Sequence, residues 1–333
     1  MIKREFLQKH EKLDFKFYQN VDDFIVEEVP IKFKGRGNFI IAKIKKTKLG
    51  TWDLLESLAK GLRIYENELG YAGLKDKNAT TTQYISIPKK YSKDLKQFRH
   101  NKIKILETTL HGTKLNIGDL IGNSFEINLH EVKMEDVGKI EKLLKEISIV
   151  GMPNYFGYQR FGRDGKDNLE KARKYIYEDY QIKDRKISKM LVSAYQSDFF
   201  NKWLVERLSL SEDTFVPMDG DVFREYRSDE FFTPKNLTPQ MLNDFNNKKI
   251  VPTGLLPGNK AFRSIKNARE IEEKYDDTYI QEKGYRRDAI VYPTNISLNY
   301  DKNSSKCKVK FTLPKGSYAT VLIENIANRN LRA

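Results

Sequence analysis

From Lys306 to Leu313 the sequence reads KCKVKFTL, with polar and apolar residues alternating without a break. A two-residue period of this kind describes a half-buried strand. Cys307, Val309, Phe311 and Leu313 face inward, and Lys306, Lys308, Lys310 and Thr312 face outward. Strand-like runs recur at 38–46, 124–132 and 289–298. Helical spacing appears at 51–62, where Leu54, Leu55, Leu58 and Leu62 share a face and Thr51 is placed as the N-cap. It appears again through Val137, Ile140, Leu143, Leu144 and Ile147, ending at Gly151 and Pro153, and at 188–208. Strands and helices mix without the regular βαβ alternation of a doubly wound sheet, so an α+β chain is expected.

After about residue 180 the character changes. Residues 211–285 are dense in Asp, Asn, Lys and turn signals such as Met218-Asp219-Gly220-Asp221, before strand character returns at 289. That order suggests one domain interrupted by an inserted one. The 333 residues carry 60 Lys and Arg against 46 Asp and Glu, a formal charge of +14. A nucleic acid is the first partner such an excess points to. The single cysteine, Cys307, excludes an intrachain disulfide and a multi-cysteine zinc site, and the four histidines have no ligand spacing. No apolar run approaches the roughly 20 residues that span a bilayer, so a cytoplasmic protein without a membrane or metal partner is expected.

Phosphate-loop, dinucleotide-turn, GxSxG and HExxH patterns are all missing. The acid pairs Asp22-Asp23 and Asp219/Asp221 read as turn or cap residues rather than magnesium ligands. In GYAGLKDKNATTTQYISIP (70–88), Asp76 sits between Lys75 and Lys77 behind two glycines. Nearby cations favour an ionised carboxylate, as a nucleophile requires, but a solvated surface turn explains the spacing equally. In PNYFGYQRFGRDG (153–165), Tyr155, Phe156, Tyr158 and Phe161 interleave with Arg160 and Arg163. Aromatic faces that stack on unpaired bases beside arginines that meet phosphates are one reading, and an aromatic core loop is the other.

Taken together, these stretches resemble the tRNA pseudouridine synthase D (TruD) family. GYAGLKDKNATTTQ is similar to its GxAGxKDxxAxTxQ segment, PNYFGYQRFG to PNYFGxQRFG, DFIVEEV (23–29) to DFxVxE, and LPKGSYAT (313–320) to LPxGSxAT. SAYQSDFFN (193–201) resembles a helix that the family carries near an inserted domain, with Gln196 where arginine is usual. The resemblance implies a pseudouridine-synthase-like catalytic domain, 1–180 and 289–333, whose mixed or antiparallel sheet is flanked by helices, with an inserted α/β TRUD domain over 181–288. It implies isomerisation of uridine to pseudouridine in tRNA, uridine 13 in bacterial members, with no cofactor.

By position, the resemblance makes Asp76 the nucleophile, attacking ribose C1′ or uracil C6 of a uridine taken out of its stack. Asn154 would hydrogen-bond that nucleotide, Phe156 would pack on it, and Phe24 and Tyr318 would line the base pocket. Lys75 and Glu28 complete the set of substrate-binding positions. The lysines are expected to keep Asp76 ionised. The face Lys306/Lys308/Lys310 and the run 87–104 are candidates for phosphate contacts, and a monomer is expected. The competing reading is a non-catalytic RNA-binding or remodelling protein on the same fold. A magnesium-dependent nuclease built on Asp219 and Asp221 is a third.

Overall fold

The computed structural model describes residues 3–162, 167–178, 180–211, 213–226, 228 and 230–331. The chain divides into two compact units, one made of Leu13–Leu144 with Pro293–Gly316 and the other of Met1–Lys12, Lys145–Tyr292 and Ser317–Ala333. The segment 181–288, expected as an insertion, lies wholly within the second of these.

The first unit contains strands β1 (Lys16–Phe17), β2 (Phe24–Pro30), β3 (Phe39–Thr47), β4 (Gly70–Tyr71), β5 (Thr80–Pro88), β6 (Ile103–His111) and β7 (Leu120–His130). Helices α1 (Thr51–Leu62), α2 (Ser92–Gln97) and the start of α3 (Met134–Val150) accompany them. In the second unit are β8 (Met152–Pro153), α4 (Asp167–Tyr177), α5 (Arg185–Leu208), β9 (Val222–Glu225), β10 (Phe231–Phe232), α6 (Pro239–Asn246), β11 (Ile250–Leu256), α7 (Lys266–Glu272), β12 (Tyr285–Asp288) and β13 (Ile290–Val291). The chain then gives β14 (Thr294–Asp301) and β15 (Lys306–Pro314) to the first unit and α8 (Ala319–Ala327) to the second.

Among the described residues the first unit's sheet runs β14-β15-β7-β2-β5-β3-β6, with β1 on β7 and β4 on β5. Every pair is antiparallel except β2 with β5, so both of those strands start at the same end of the sheet. The expected mixed sheet with flanking helices is therefore present. In β15 the inward set Cys307, Val309, Phe311 and Leu313 is at most 1% exposed. Helix α1 lays Leu54, Leu55, Leu58 and Leu62 on Ile40, Ala42, Ile44, Ile85 and Ile87, the apolar face its spacing required. Helix α3 buries Ile140, Leu143, Leu144 and Ile147 and stops at Gly151, whose φ of +93° a side chain would resist.

The second unit has a four-stranded antiparallel sheet, β10-β9-β11-β12, with Trp203 and Phe200 of α5 lying against Gly254 of β11. Residues 250–256 are buried throughout. No strand was expected here, because a short strand covered on both faces has no alternation to display. The run expected over 289–298 is two strands, broken at Pro293, which has no N–H to continue a ladder. Thr51 is not the N-cap of α1. Gly50 holds that place, its N–H donating to Asp53 Oδ2 at 2.9 Å, and Thr51 is released for another contact. No helix among the described residues is long and apolar enough to cross a membrane.

At Gly122 of β7 an added Cβ would fall on the carbonyl of Leu313 in β15. Backbone cannot yield there as a side chain can. Gly122→Ala should lower stability by about 1–3 kcal/mol, read from the urea midpoint at unchanged m-value; an unmoved midpoint would mean the two strands part freely.

Candidate active site

Asp76 lies in the loop between β4 and β5, at the end of the sheet where the parallel strands β2 and β5 begin. Much of the residue is open to solvent, and it makes no hydrogen bond or ion pair with the described residues. The groups beside it are pinned. Lys75 Nζ donates to Glu28 Oε1 at 2.6 Å, both side chains being almost wholly buried. Glu28 also accepts from the Tyr84 N–H at 2.8 Å. The Lys75 N–H donates to Thr51 Oγ1 at 2.9 Å, and that hydroxyl donates to Gln83 Oε1 at 3.2 Å. Thr51 thus ties the first turn of α1 to the Asp76 loop.

Of the two lysines expected to hold the acid ionised, Lys75 acts in that direction on Asp76, while Lys77 is turned to another acid. Lys77 is exposed and pairs with Asp53 at 3.4 Å, and Lys75 is committed to Glu28. Desolvation is the largest influence on the Asp76 carboxyl and raises its pKa above the ordinary range, opposed by Lys46 first and Lys75 second. Burial likewise lifts Glu28 in spite of Lys75. Lys46, on β3, escaped notice in the sequence. It is 1% exposed, donates to the Leu49 carbonyl at 2.5 Å, and is lowered to about 8 by burial, with Lys75 next in effect. Its only sequence signal is its parity with the inward residues Ile40, Ala42 and Ile44, in a strand where neighbouring lysines hide it.

Phe24, at the head of β2, is 4% exposed and stands edge-on to Phe17. It shares a strand with Glu28, so four of the seven expected residues (Phe24, Glu28, Lys75 and Asp76) belong to the first unit.

The other three belong to the second unit and lie together. Pairing of β8 with β13 sets Asn154 so that its N–H meets the Ala289 carbonyl at 2.8 Å. Its side-chain amide donates to the Asp288 carbonyl at 3.0 Å and accepts from Arg287 Nη2 at 2.7 Å. Arg287 Nε donates to the Asn154 carbonyl at 2.7 Å, and the guanidinium lies 4.0 Å over the Phe156 ring. Burial brings that guanidinium down to about 10, still charged at neutral pH. Phe156 is edge-on to Tyr318, 6.1 Å between centroids, and its peptide is clasped by Asn201. Tyr318, half-buried at the N-cap of α8, presses on Gly157, where a Cβ would sit 2.5 Å from its ring. Arg287 is a second residue missed, because an arginine's sequence neighbours do not tell a buried clamp from a surface charge.

The interleaved aromatics are mostly core: Tyr155 and Phe161 are buried. Arg160 is held by Ser193 and Ser197 of α5, and Arg163 lies outside the described residues. Gln196 is a packing residue, its amide donating to the Pro257 carbonyl at 2.7 Å. Lys308 and Lys310 share one acid, Glu126, at 2.8 and 2.7 Å, which offsets one of the three positive charges expected of that face. Asp221 is bound by the buried Arg207, and Asp219 by Lys266 at 2.9 Å. Among the described residues no three His, Cys, Asp or Glu side chains cluster to hold a metal ion.

The family model for tRNA pseudouridine synthase D (TruD) matches residues 3–181 and 167–326. Proteins named tRNA pseudouridine synthase D are 39% identical in Nitratiruptor sp., over 99% of both chains, and 40% identical in Sulfurimonas denitrificans, over 97% of this chain and 98% of that one. The chain belongs to the TruD family. A crystal structure assigned to the same family from Methanosarcina mazei superposes with a TM-score of 0.73 over 99% of this chain and 97% of that one, at 22% identity, which establishes the fold. The TruD segments found in the sequence thus place one carboxylate, Asp76, on pinned surroundings in one unit and an Arg287-bound aromatic cluster in the other.

Because the folded pKa of Lys46 lies below its unfolded value near 10.4, the unfolded chain holds the extra proton between about 8 and that value. Raising the pH through this window removes that advantage, so stability relative to Lys46→Met should rise across it. Urea unfolding of both proteins from neutral pH to roughly pH 10.5 reads the difference; a flat difference would mean Lys46 is solvated.

Proposed function

We propose that this protein isomerises uridine to pseudouridine in tRNA, at uridine 13, with Asp76 as the nucleophile. The observation that carries the reading is a carboxylate with no partner among the described residues, in the family's aspartate segment, beside charged groups that are all engaged. A carboxyl raised by desolvation is more basic, and so a better nucleophile once ionised. Attack at C1′ or at C6 serves equally: the C1′–N1 bond breaks, the base turns while held, C1′ bonds to C5, and the C5 proton is lost as N1 gains one. Nothing is oxidised or reduced, and we propose that no cofactor or metal takes part.

The uridine leaves its stack to react, at a cost of roughly a few kcal/mol. In our reading Phe156 and Tyr318 offer the ring faces that offset it. Asn154 retains one amide hydrogen and one lone pair for the nucleotide after its bonds to Asp288 and Arg287. Phe24, at the head of β2, is in this reading a further base-binding residue. Glu28 and Lys75 act through the loop, as positioning residues. We further propose a cytoplasmic monomer, with 181–288 as the insertion in a catalytic domain formed by 1–180 and 289–333.

The decisive experiment compares wild type with Asp76→Asn on unmodified tRNA transcripts, with EDTA present and nothing else added. Product at uridine 13 from wild type alone is expected, with the variant down by at least about 10⁴-fold, the scale of losing an essential nucleophile. Equal product from both proteins would remove Asp76 from the mechanism, and RNA binding without product from either would favour the non-catalytic reading. Arg287→Lys keeps the charge but loses the fork that grips Asn154, so kcat/KM should fall roughly tenfold or more in protein that remains folded. Wild-type kinetics would show that Asn154 needs no clamp.

A further inference from the structure

Away from every residue described around Asp76, the first unit carries a cavity of about 560 Å³ beside the edge strand β6. Its floor is apolar, formed by Ile40, Leu95, Ile103, Ile105 and Leu110. Its rim is cationic: Lys89, Lys96, Arg99 and Lys104 are exposed there, and none pairs with a carboxylate among the described residues. Lys43, Lys60, Lys90, Lys308 and Lys310, by contrast, all meet acids.

The segment Phe98–His100 forms part of the wall. The two rings are parallel within 3°, with centroids 6.4 Å apart. Phe98 lies on Gly61, where a Cβ would come within 2.6 Å of the ring. A glycine inside α1 weakens the helix, and here it makes room for that ring. The same segment also borders a second cavity of about 690 Å³, polar, with Lys60 and Arg63 set against one acid, Asp94. An apolar recess and a polar one thus share an aromatic wall, and unpaired cations run along the rim of the first.

We infer that this pair of recesses is an accessory RNA subsite that takes an unpaired nucleotide: its base enters the apolar recess against Phe98 and His100, and its flanking phosphates lie on Lys96, Arg99 and Lys104. Charge complementarity selects a polyanion, and the apolar floor selects one that offers a free base face. A duplex presents its phosphates but keeps its bases stacked. The subsite deepens the proposed function and rests on its assignment of RNA as substrate.

The test uses the full chain with a single-stranded RNA dodecamer, a blunt duplex of the same length and an unmodified tRNA transcript. Phe98→Leu keeps apolar bulk on Gly61 but removes the ring. It should weaken single-strand binding roughly fivefold to tenfold, the scale of one lost base–aromatic stack, and leave duplex binding unchanged. Lys96→Glu with Lys104→Glu should weaken both and flatten the salt dependence. The KM for tRNA should rise with the single-strand Kd. His100→Ala repeats the stacking test should Phe98→Leu lower the thermal midpoint. Unchanged single-strand binding in folded stacking variants overturns the subsite, as does an equal loss on duplex, which would leave only a phosphate patch. Absence of pseudouridine from wild type would instead overturn the proposed activity, with the single-strand comparison still deciding the subsite.

Discussion

The arrangement around Asp76 depends on one buried ion pair, Glu28 with Lys75. Strand β2 pairs with β5 only from Ile25–Thr80 to Glu27–Thr82. Beyond that point the N–H of Tyr84 would face β2 with no backbone partner, and the Glu28 carboxylate takes it. The carboxylate's other oxygen accepts from Lys75. One side chain thereby closes the end of the parallel pairing and fixes the residue next to Asp76. Removing either partner of a buried pair leaves an uncompensated charge, at a cost of roughly 3–5 kcal/mol. That cost keeps Lys75 from swinging toward Asp76, whose carboxylate stays unbonded while its neighbours are held.

Periodicity made the first unit's frame legible. The inward set of β15, the Leu face of α1 and the apolar stripe of α3 all follow from spacing, because each buries one face and exposes the other. Where both faces are covered that signal vanishes, and β9 and β11 passed for turn-rich sequence. Thr51 shows a different limit. A threonine before an apolar helix is a good cap by propensity, but Gly50 with Asp53 caps α1, and the hydroxyl serves the Asp76 loop. The contact spans 24 residues, so no local rule could have found it.

Charge was the least legible quantity. The excess of 14 cations suggested a basic surface, yet several of the strongest cations are inside. Arg4 binds Glu324, Arg207 grips Asp221, Arg286 binds Glu272, and Arg287 holds Asn154. These guanidiniums hold elements of the second unit in register with planar, bidentate geometry that lysine lacks. Lys46 is the converse case, a lysine buried in a strand. Four cations without a carboxylate partner among the described residues, Lys89, Lys96, Arg99 and Lys104, lie along the run the sequence marked as basic.

Placement also explains how an aspartate in a loop can have a shifted pKa. A carboxylate on a mobile turn would be solvated and keep an ordinary pKa. Thr51, Glu28 and the start of β5 fix the chain on either side of Asp76, and its carboxyl is raised by desolvation even though much of the residue is open to solvent. The opposing charges differ in kind. Lys75 is neutralised by Glu28 at 2.6 Å, whereas Lys46 meets only a carbonyl, so Lys46 exerts the larger pull. Desolvation is the leading cause of both the raised carboxyl and the lowered Lys46, one group open to solvent in part and the other fully buried, and no direct bond joins them.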